Sequence, residues 1–189
     1  APGSMLEGLA PDCDAALLVG YHARAGTSGA VLEHTWDYLT FSVRVGDLEV
    51  GEFGIAALLA GVLGVPAVYV SGDDKVAAEA RALVPGITAT VVKTGIRREA
   101  AALCAPAEAR ERIARDVRAA LTGEHRPAPL VWNGRPLRLT FTRAIYCDLA
   151  ETCPGAVRLD GRTLEIGGET FADLYRGFLT CLRLAESQA

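Results

Sequence analysis

Residues 51–93 read GEFGIAALLAGVLGVPAVYVSGDDKVAAEARALVPGITATVVK, and this stretch decides the fold. Residues 51–63 are small and apolar almost throughout, the character of a packed helix. Residues 65–70 form a short continuous apolar run that stops at Ser71-Gly72-Asp73-Asp74, which predicts a buried strand feeding a turn. An Asp just before Lys75 is suited to cap a helix over 75–83, because its carboxylate accepts the orphan amide hydrogens of the first turn. Residues 87–93 then read as another strand. Working outward, residues 15–21 form an earlier apolar run that ends in a polar, glycine-rich loop over 22–29. Strands that alternate with helices need crossover connections, so the expectation is an α/β fold: a mainly parallel sheet with flanking helices.

The segments around this core predict more. Residues 41–45 alternate up to Gly46-Asp47, and 48–50 resume, which reads as a β-hairpin. Pro106 opens a helix over 107–121, with Ile113, Val117, Ala120 and Leu121 on one face. Residues 123–129 read as a linker. Beyond it come a strand over 137–142, a short helix near 147–149, strands over 157–159 and 163–166 around Asp160-Gly161, and an amphipathic helix over 171–185. The expected organisation is an α/β unit over 1–125 and a smaller C-terminal α+β lobe over 126–189.

Half of the 189 residues are hydrophobic and 22% are charged, which excludes a disordered chain. The net charge is −4 and Lys75 and Lys93 are the lysines, so no basic field is available and nucleic acid is not an expected partner. A bilayer span needs roughly 18 uninterrupted apolar residues. The longest candidate, 55–70, is broken by Gly61, Gly64 and Pro66, so no membrane association is expected. The five cysteines (Cys13, Cys104, Cys147, Cys153, Cys181) include no C-x-x-C pair. They read as small buried hydrophobes in a reducing cytoplasm. The opening Ala1-Pro2-Gly3-Ser4-Met5 has no signal-peptide character, and a core strand is already under way at residue 15. The chain is therefore expected either to start near Ala1 or to begin in mid-domain.

Three histidines occur: His22, His34 and His125. His22 and His34 flank one glycine-rich loop, and Glu52 follows between two glycines in Val50-Gly51-Glu52-Phe53-Gly54. The plain reading of Glu52 is a first-turn acid favoured by the helix dipole, and that of His22 is an imidazole satisfied by a nearby backbone group. The chemical reading is that both sit at strand-to-loop edges and converge on a metal, since imidazole nitrogen and carboxylate oxygen are donors that Zn²⁺ accepts. His34 could be a third ligand or a proton donor to a leaving amine. His125, between Glu124 and Arg126 in the linker, reads as a solvent-exposed bystander. Asp73 and Asp74 end a parallel strand, where α/β sites gather, and could pair with a substrate ammonium, although helix capping alone accounts for them. Trp36 and Tyr38 could line a substrate pocket or pack in the core. No cysteine lies in a glycine-flanked elbow, which disfavours a Cys-His nucleophile.

Gly20-Tyr21-His22-Ala23-Arg24-Ala25, His34, Val50-Gly51-Glu52-Phe53-Gly54, Gly72-Asp73-Asp74, Val92-Lys93 and Ala144 to Pro154-Gly155 resemble, in order and spacing, the blocks of the DppA-type zinc-dependent D-aminopeptidase family. The resemblance implies that His22 and Glu52 bind zinc, that His34 serves catalysis, that a complete site holds two zinc ions, and that the chains assemble as a ring-shaped homo-oligomer. Family members carry an Asp-x-Glu metal motif and a further histidine upstream of the segment that resembles Ala1. Asp12 and Asp14 do not replace them, because they fall in the loop before the His22 strand. The resemblance thus implies an N-terminal fragment or companion chain that supplies the remaining ligands.

The expected activity is a metal-dependent aminopeptidase or amidase that hydrolyses the amide after an N-terminal, D-configured residue of a peptide or amino-acid amide. Two alternatives stand beside it: a non-catalytic remnant kept as a binding or scaffold protein, and an amidase acting on a biosynthetic intermediate.

Overall fold

The computed structural model describes residues 4–124 and 126–187. After a 3-10 turn, the elements in chain order are β1 (Ala16–Tyr21), β2 (Thr40–Val45), β3 (Leu48–Glu49), α1 (Glu52–Val62), β4 (Ala67–Asp73), α2 (Asp74–Leu83), β5 (Thr88–Arg97) and β6 (Ala100–Leu103). They continue with α3 (Pro106–Thr122), β7 (Leu137–Phe141), α4 (Ala144–Ala150), β8 (Ala156–Arg158), β9 (Thr163–Ile166) and α5 (Phe171–Glu186). No helix among the described residues is long and apolar enough to cross a membrane.

Two sheets form. The first has the order β1-β4-β5-β6, parallel from β1 through β5, with β6 added antiparallel at the edge. This is the expected mainly parallel sheet with flanking helices. The β6 strand was not legible in the sequence, because Ala100-Ala101-Ala102 carries neither β-branched residues nor alternation. The second sheet is antiparallel, with the order β3-β2-β7-β9-β8. The β2–β3 hairpin was expected within 1–125, yet β2 pairs with β7 of the 126–189 segment, Val43 opposite Leu139 and Val45 opposite Leu137. All four side chains are buried on one face, and that shared face rather than chain proximity sets the pairing.

Helix α1 lies between the two sheets. Ile55 and Leu58 join the cluster built from β2, β7, β9, α4 and α5, whereas Phe53, Ala56 and Ala57 join the cluster of β1, β4 and α2. A helix apolar on every side is stable only when buried on every side, and α1 meets that condition by serving both cores. Helix α3 covers the outer side of the first sheet, with Ile113, Val117, Ala120 and Leu121 against Val68 and Tyr69, as its apolar stripe predicts. In the second lobe, Cys147, Cys153 and Cys181 are buried and free, while Cys13 and Cys104 are half-buried.

Close backbone approach fixes α1 in place. A Cβ on Gly61 would fall 2.0 Å from the Leu130 carbonyl oxygen. On an exposed helix, Gly→Ala gains about 1 kcal/mol; here the clash reverses the sign. Gly61→Ala should lower stability by about 1–3 kcal/mol, the usual cost of overpacking, measured by urea unfolding. A variant as stable as the parent or more so would show that α1 is not held against residue 130.

Candidate active site

Three segments meet at the carboxyl ends of β1 and β4. His22 is the first residue beyond β1, Glu52 opens α1 after the N-cap Gly51, and His34 comes from the loop that joins β1 to β2. Glu52 lies where the α1 dipole favours an anion. A half-buried acid on α2 ties two of these segments together: Glu79 accepts from the Arg24 amide at 2.9 Å and the Gly51 amide at 3.2 Å. Burial pushes the Glu79 carboxyl above its ordinary value, and the two amides offset part of that shift. Gly51 is required at this crossing, because a Cβ there would lie 2.8 Å from Arg24 Cβ.

The side chains converge. His34 Nε2 is 3.3 Å from Glu52 Oε1, and the His22 and His34 ring centroids are 5.1 Å apart. The Trp36 amide donates to Glu52 Oε1 at 2.9 Å. His22 Nδ1 lies 3.0 Å from the Val31 carbonyl oxygen, and His34 Nδ1 lies 2.6 Å from that of Leu32. A carbonyl only accepts, so both rings carry a proton on Nδ1. This leaves the His22 Nε2 as a lone-pair nitrogen, whereas the His34 Nε2 faces the Glu52 carboxylate, which also only accepts, and is engaged as a hydrogen-bond donor. The hydrogen bond to Glu52 raises the His34 pKa against the opposing effect of burial. Burial would raise the Glu52 pKa, but the hydrogen bonds from His34 and the Trp36 amide hold it below the ordinary glutamate value. Tyr21, next to His22, is pushed up to about 12 by burial and by the Glu52 charge, and therefore remains a neutral phenol at physiological pH.

The loop that carries His34 adopts two left-handed positions outside glycine, Leu32 at φ 50° and Trp36 at φ 73°. Such backbone persists only where its surroundings determine it. Here the Leu32 amide donates to the Arg98 carbonyl at 2.8 Å, and the Trp36 ring packs edge-on against Tyr175 and Phe178 of α5. Trp36 is thus a core residue. Tyr38 instead borders a cleft of about 460 Å³ together with His34, Glu33, Asp37, Thr40 and Arg98. The Arg98 guanidinium pairs with Glu33 and lies 5.0 Å from the Tyr38 ring centroid. Two buried oxygens belonging to this lining, Asp37 Oδ2 and Thr40 Oγ1, have no hydrogen-bond partner among the described residues.

Asp73 takes the capping role that the sequence offered for this pair. Asp73 is 0% exposed, and its oxygens accept from the amides of Val31, Lys75 and Val76. It caps α2 in the role the sequence reading gave to the Asp directly before Lys75. Asp74 accepts from the Gly95 amide at 2.9 Å and pairs with Lys75. Asp73 is thus enclosed by backbone donors, whereas the Asp74 side chain, with one internal donor on each oxygen, remains partly exposed. His125 lies outside the described residues. The Val31 and Leu32 carbonyls, Glu79, Asp37, Thr40 and Arg98 were not legible in advance. Backbone acceptors carry no residue-type signal, and the acids resemble ordinary helix or loop acids until the chain folds. The signals that pointed toward this site were the scarce histidines around one glycine-rich loop and the Gly-Glu-Phe-Gly frame.

Among the described residues no group of three or more His, Cys, Asp or Glu side chains is arranged to hold a metal ion. The Nε2 of His22 and the Glu52 carboxylate offer nitrogen and oxygen donors of the kind zinc accepts, short of the three or four protein ligands a zinc site uses.

The comparisons with known proteins bear on the family and the fold. The Peptidase_M55 family model, described as D-aminopeptidase, matches residues 1–180. A D-aminopeptidase of Bacillus subtilis (strain 168) is 34% identical over 189 residues, covering 97% of this chain and 68% of that protein. The solved structure of the Zn-dependent D-aminopeptidase DppA from Bacillus subtilis, described as a self-compartmentalizing protease, superposes with a TM-score of 0.94 at 32% identity. That match covers 98% of this chain and 68% of the other. On the extent of the family match, joined to this identity and coverage, the chain belongs to the Peptidase M55 D-aminopeptidase family.

Proposed function

We propose that this chain is the catalytic part of a zinc-dependent aminopeptidase that hydrolyses the amide after an N-terminal, D-configured residue. The observation that carries this reading is the pair of neighbouring imidazoles beside Glu52, each with Nδ1 tied to a backbone carbonyl, the His22 Nε2 left as a lone-pair nitrogen and the His34 Nε2 directed at the Glu52 carboxylate. His22 and Glu52 would hold zinc. Zinc at this site would supply Lewis acidity toward the scissile carbonyl and a nucleophile at neutral pH. His34, bordering the cleft, would donate a proton to the leaving amine or a hydrogen bond to the oxyanion. The Trp36 amide orients the Glu52 carboxylate, and the Glu79 clamp keeps the His22 and Glu52 segments in register.

The roles separate by measurement. His22→Ala and Glu52→Ala should lose zinc and turnover together, because removing one donor of a shared site weakens it by orders of magnitude. His34→Ala should keep zinc and lose about 10²-fold or more in kcat. Zinc content by mass spectrometry beside kcat decides the matter. Equal zinc loss in all three variants would make His34 a ligand, and a parent protein that takes up no zinc would favour a binding or scaffold role.

The remaining ligands, in this reading, come from a segment beyond these 189 residues that pairs with β1. Support comes from the free edge of that strand in the first sheet and from Val19, 59% exposed on it. Unpaired edges with apolar faces invite a covering strand. A homo-oligomer that encloses the sites is proposed on the same footing as for DppA. Native mass spectrometry should find a mass that is a multiple of the chain together with its companion segment. A 19.9 kDa monomer that alone binds two zinc ions would overturn the companion segment.

The substrate is tested with D-Ala, L-Ala and N-acetyl-D-Ala amides offered to the zinc-loaded assembly. The D-amide should release ammonia fastest, and acetylation should abolish its cleavage. Faster turnover of the L-amide, or equal turnover of the acetylated one, would move the reading to a general or biosynthetic amidase.

A further inference from the structure

Asp73 does more than cap a helix. Its Oδ1 accepts from the Lys75 and Val76 amides at 3.1 and 2.9 Å, which satisfies the first turn of α2. Its Oδ2 reaches in another direction, to the Val31 amide at 2.7 Å across 42 residues of sequence. The carbonyl of Val31 accepts from His22 Nδ1, and the next carbonyl, Leu32, accepts from His34 Nδ1. The carboxylate therefore ties down Val31, whose carbonyl receives the His22 ring, while the Arg98 carbonyl ties down Leu32 next to it. A buried charge is expensive, and capping alone would be met by Ser or Asn, which cap about as well as Asp. The second oxygen and its short, charge-assisted bond to Val31 are what an aspartate adds. The placement is rigid. A Cβ on the preceding Gly72 would lie 2.3 Å from the Tyr21 carbonyl oxygen, so β4 presses directly on the end of β1, one residue before His22. Leu32, held in the left-handed region, turns its carbonyl toward His34 only while Val31 and Leu32 are both tied at their amides, to Asp73 and to the Arg98 carbonyl.

We propose that Asp73 is a positioning residue for His22: through the Val31 amide it holds the residue whose carbonyl keeps the His22 ring with its proton on Nδ1 and Nε2 as the free nitrogen. The proposal rests on the zinc reading for its consequence, but the ring orientation itself does not require zinc. Asp73→Asn isolates the effect. The asparagine oxygen can still cap α2, whereas its amide group cannot accept from Val31. Asp73→Ser removes the same tie, keeps a cap, and adds no donor toward Val31.

The experiment reads imidazole ¹⁵N resonances of the full chain without metal, with His22→Ala and His34→Ala used to assign the rings. Zinc affinity is measured by chelator competition, and folding by urea unfolding. In the parent, His22 should be in the Nδ1–H tautomer. In both Asp73 variants His22 should become a mixture of tautomers, with the cooperative unfolding transition retained and zinc affinity lowered about 10–100-fold. Folded variants with the parent tautomer at His22 would overturn the proposal. So would the loss of folding in both variants, which would make Asp73 a structural cap. Tautomer mixing in a protein whose parent takes up no zinc would uphold the positioning role and count against the zinc reading instead.

Discussion

Everything near the site depends on the burial of α1 from two sides. Its residues alternate between two cores, Ile55 and Leu58 toward the antiparallel sheet and Phe53, Ala56 and Ala57 toward the parallel one. Desolvation of one small-residue helix thereby joins sheets that share no strand. The N-terminus of that helix carries Glu52, so the packing that unites the lobes also places an anion at the carboxyl ends of β1 and β4. Gly51, Gly54 and Gly61 serve this closeness, since each would bring a Cβ within 2.8 Å or less of a neighbouring atom.

Around that helix the polar groups form a framework rather than a set of separate residues. Glu79 spans the Arg24 and Gly51 amides, Asp73 spans the α2 terminus and Val31, and the Trp36 amide reaches Glu52. These carboxylates are satisfied mainly by backbone amides, and backbone is the least adjustable partner a side chain has. A site that must hold imidazole and carboxylate donors within tenths of an ångström gains from such partners, because ligand geometry is set chiefly by the groups behind the ligands. The left-handed Leu32 and Trp36 fit the same logic: strained backbone is retained where several anchors over-determine it.

The cleft beside His34 has a different character from the frame. Tyr38 is 65% exposed, Arg98 lies over its ring, and Glu33 pairs with Arg98, so its rim is built from long side chains that can rearrange. Rigid groups hold His22, His34 and Glu52, and adaptable ones border them. This division suits a family defined by one kind of bond cleavage.

The sequence by itself determined the strand–helix alternation, because hydrophobic period and turn residues are local: 65–70, 75–83 and 163–166 read as elements that the structure contains, offset by only a few residues. It also singled out His22, His34 and Glu52, since histidine is scarce in this chain and a glutamate between glycines at an apolar helix start is unusual. Tertiary structure alone decided that the 40–49 hairpin pairs with residues 137–141, because strand pairing depends on which faces share a core and not on proximity along the chain. It alone brought the Val31 amide to Asp73 and the Gly95 amide to Asp74, and recruited Glu79 from the middle of a helix. A carboxylate's role is fixed by the donors that surround it, and those donors, backbone amides from distant segments, leave no trace in residue identity.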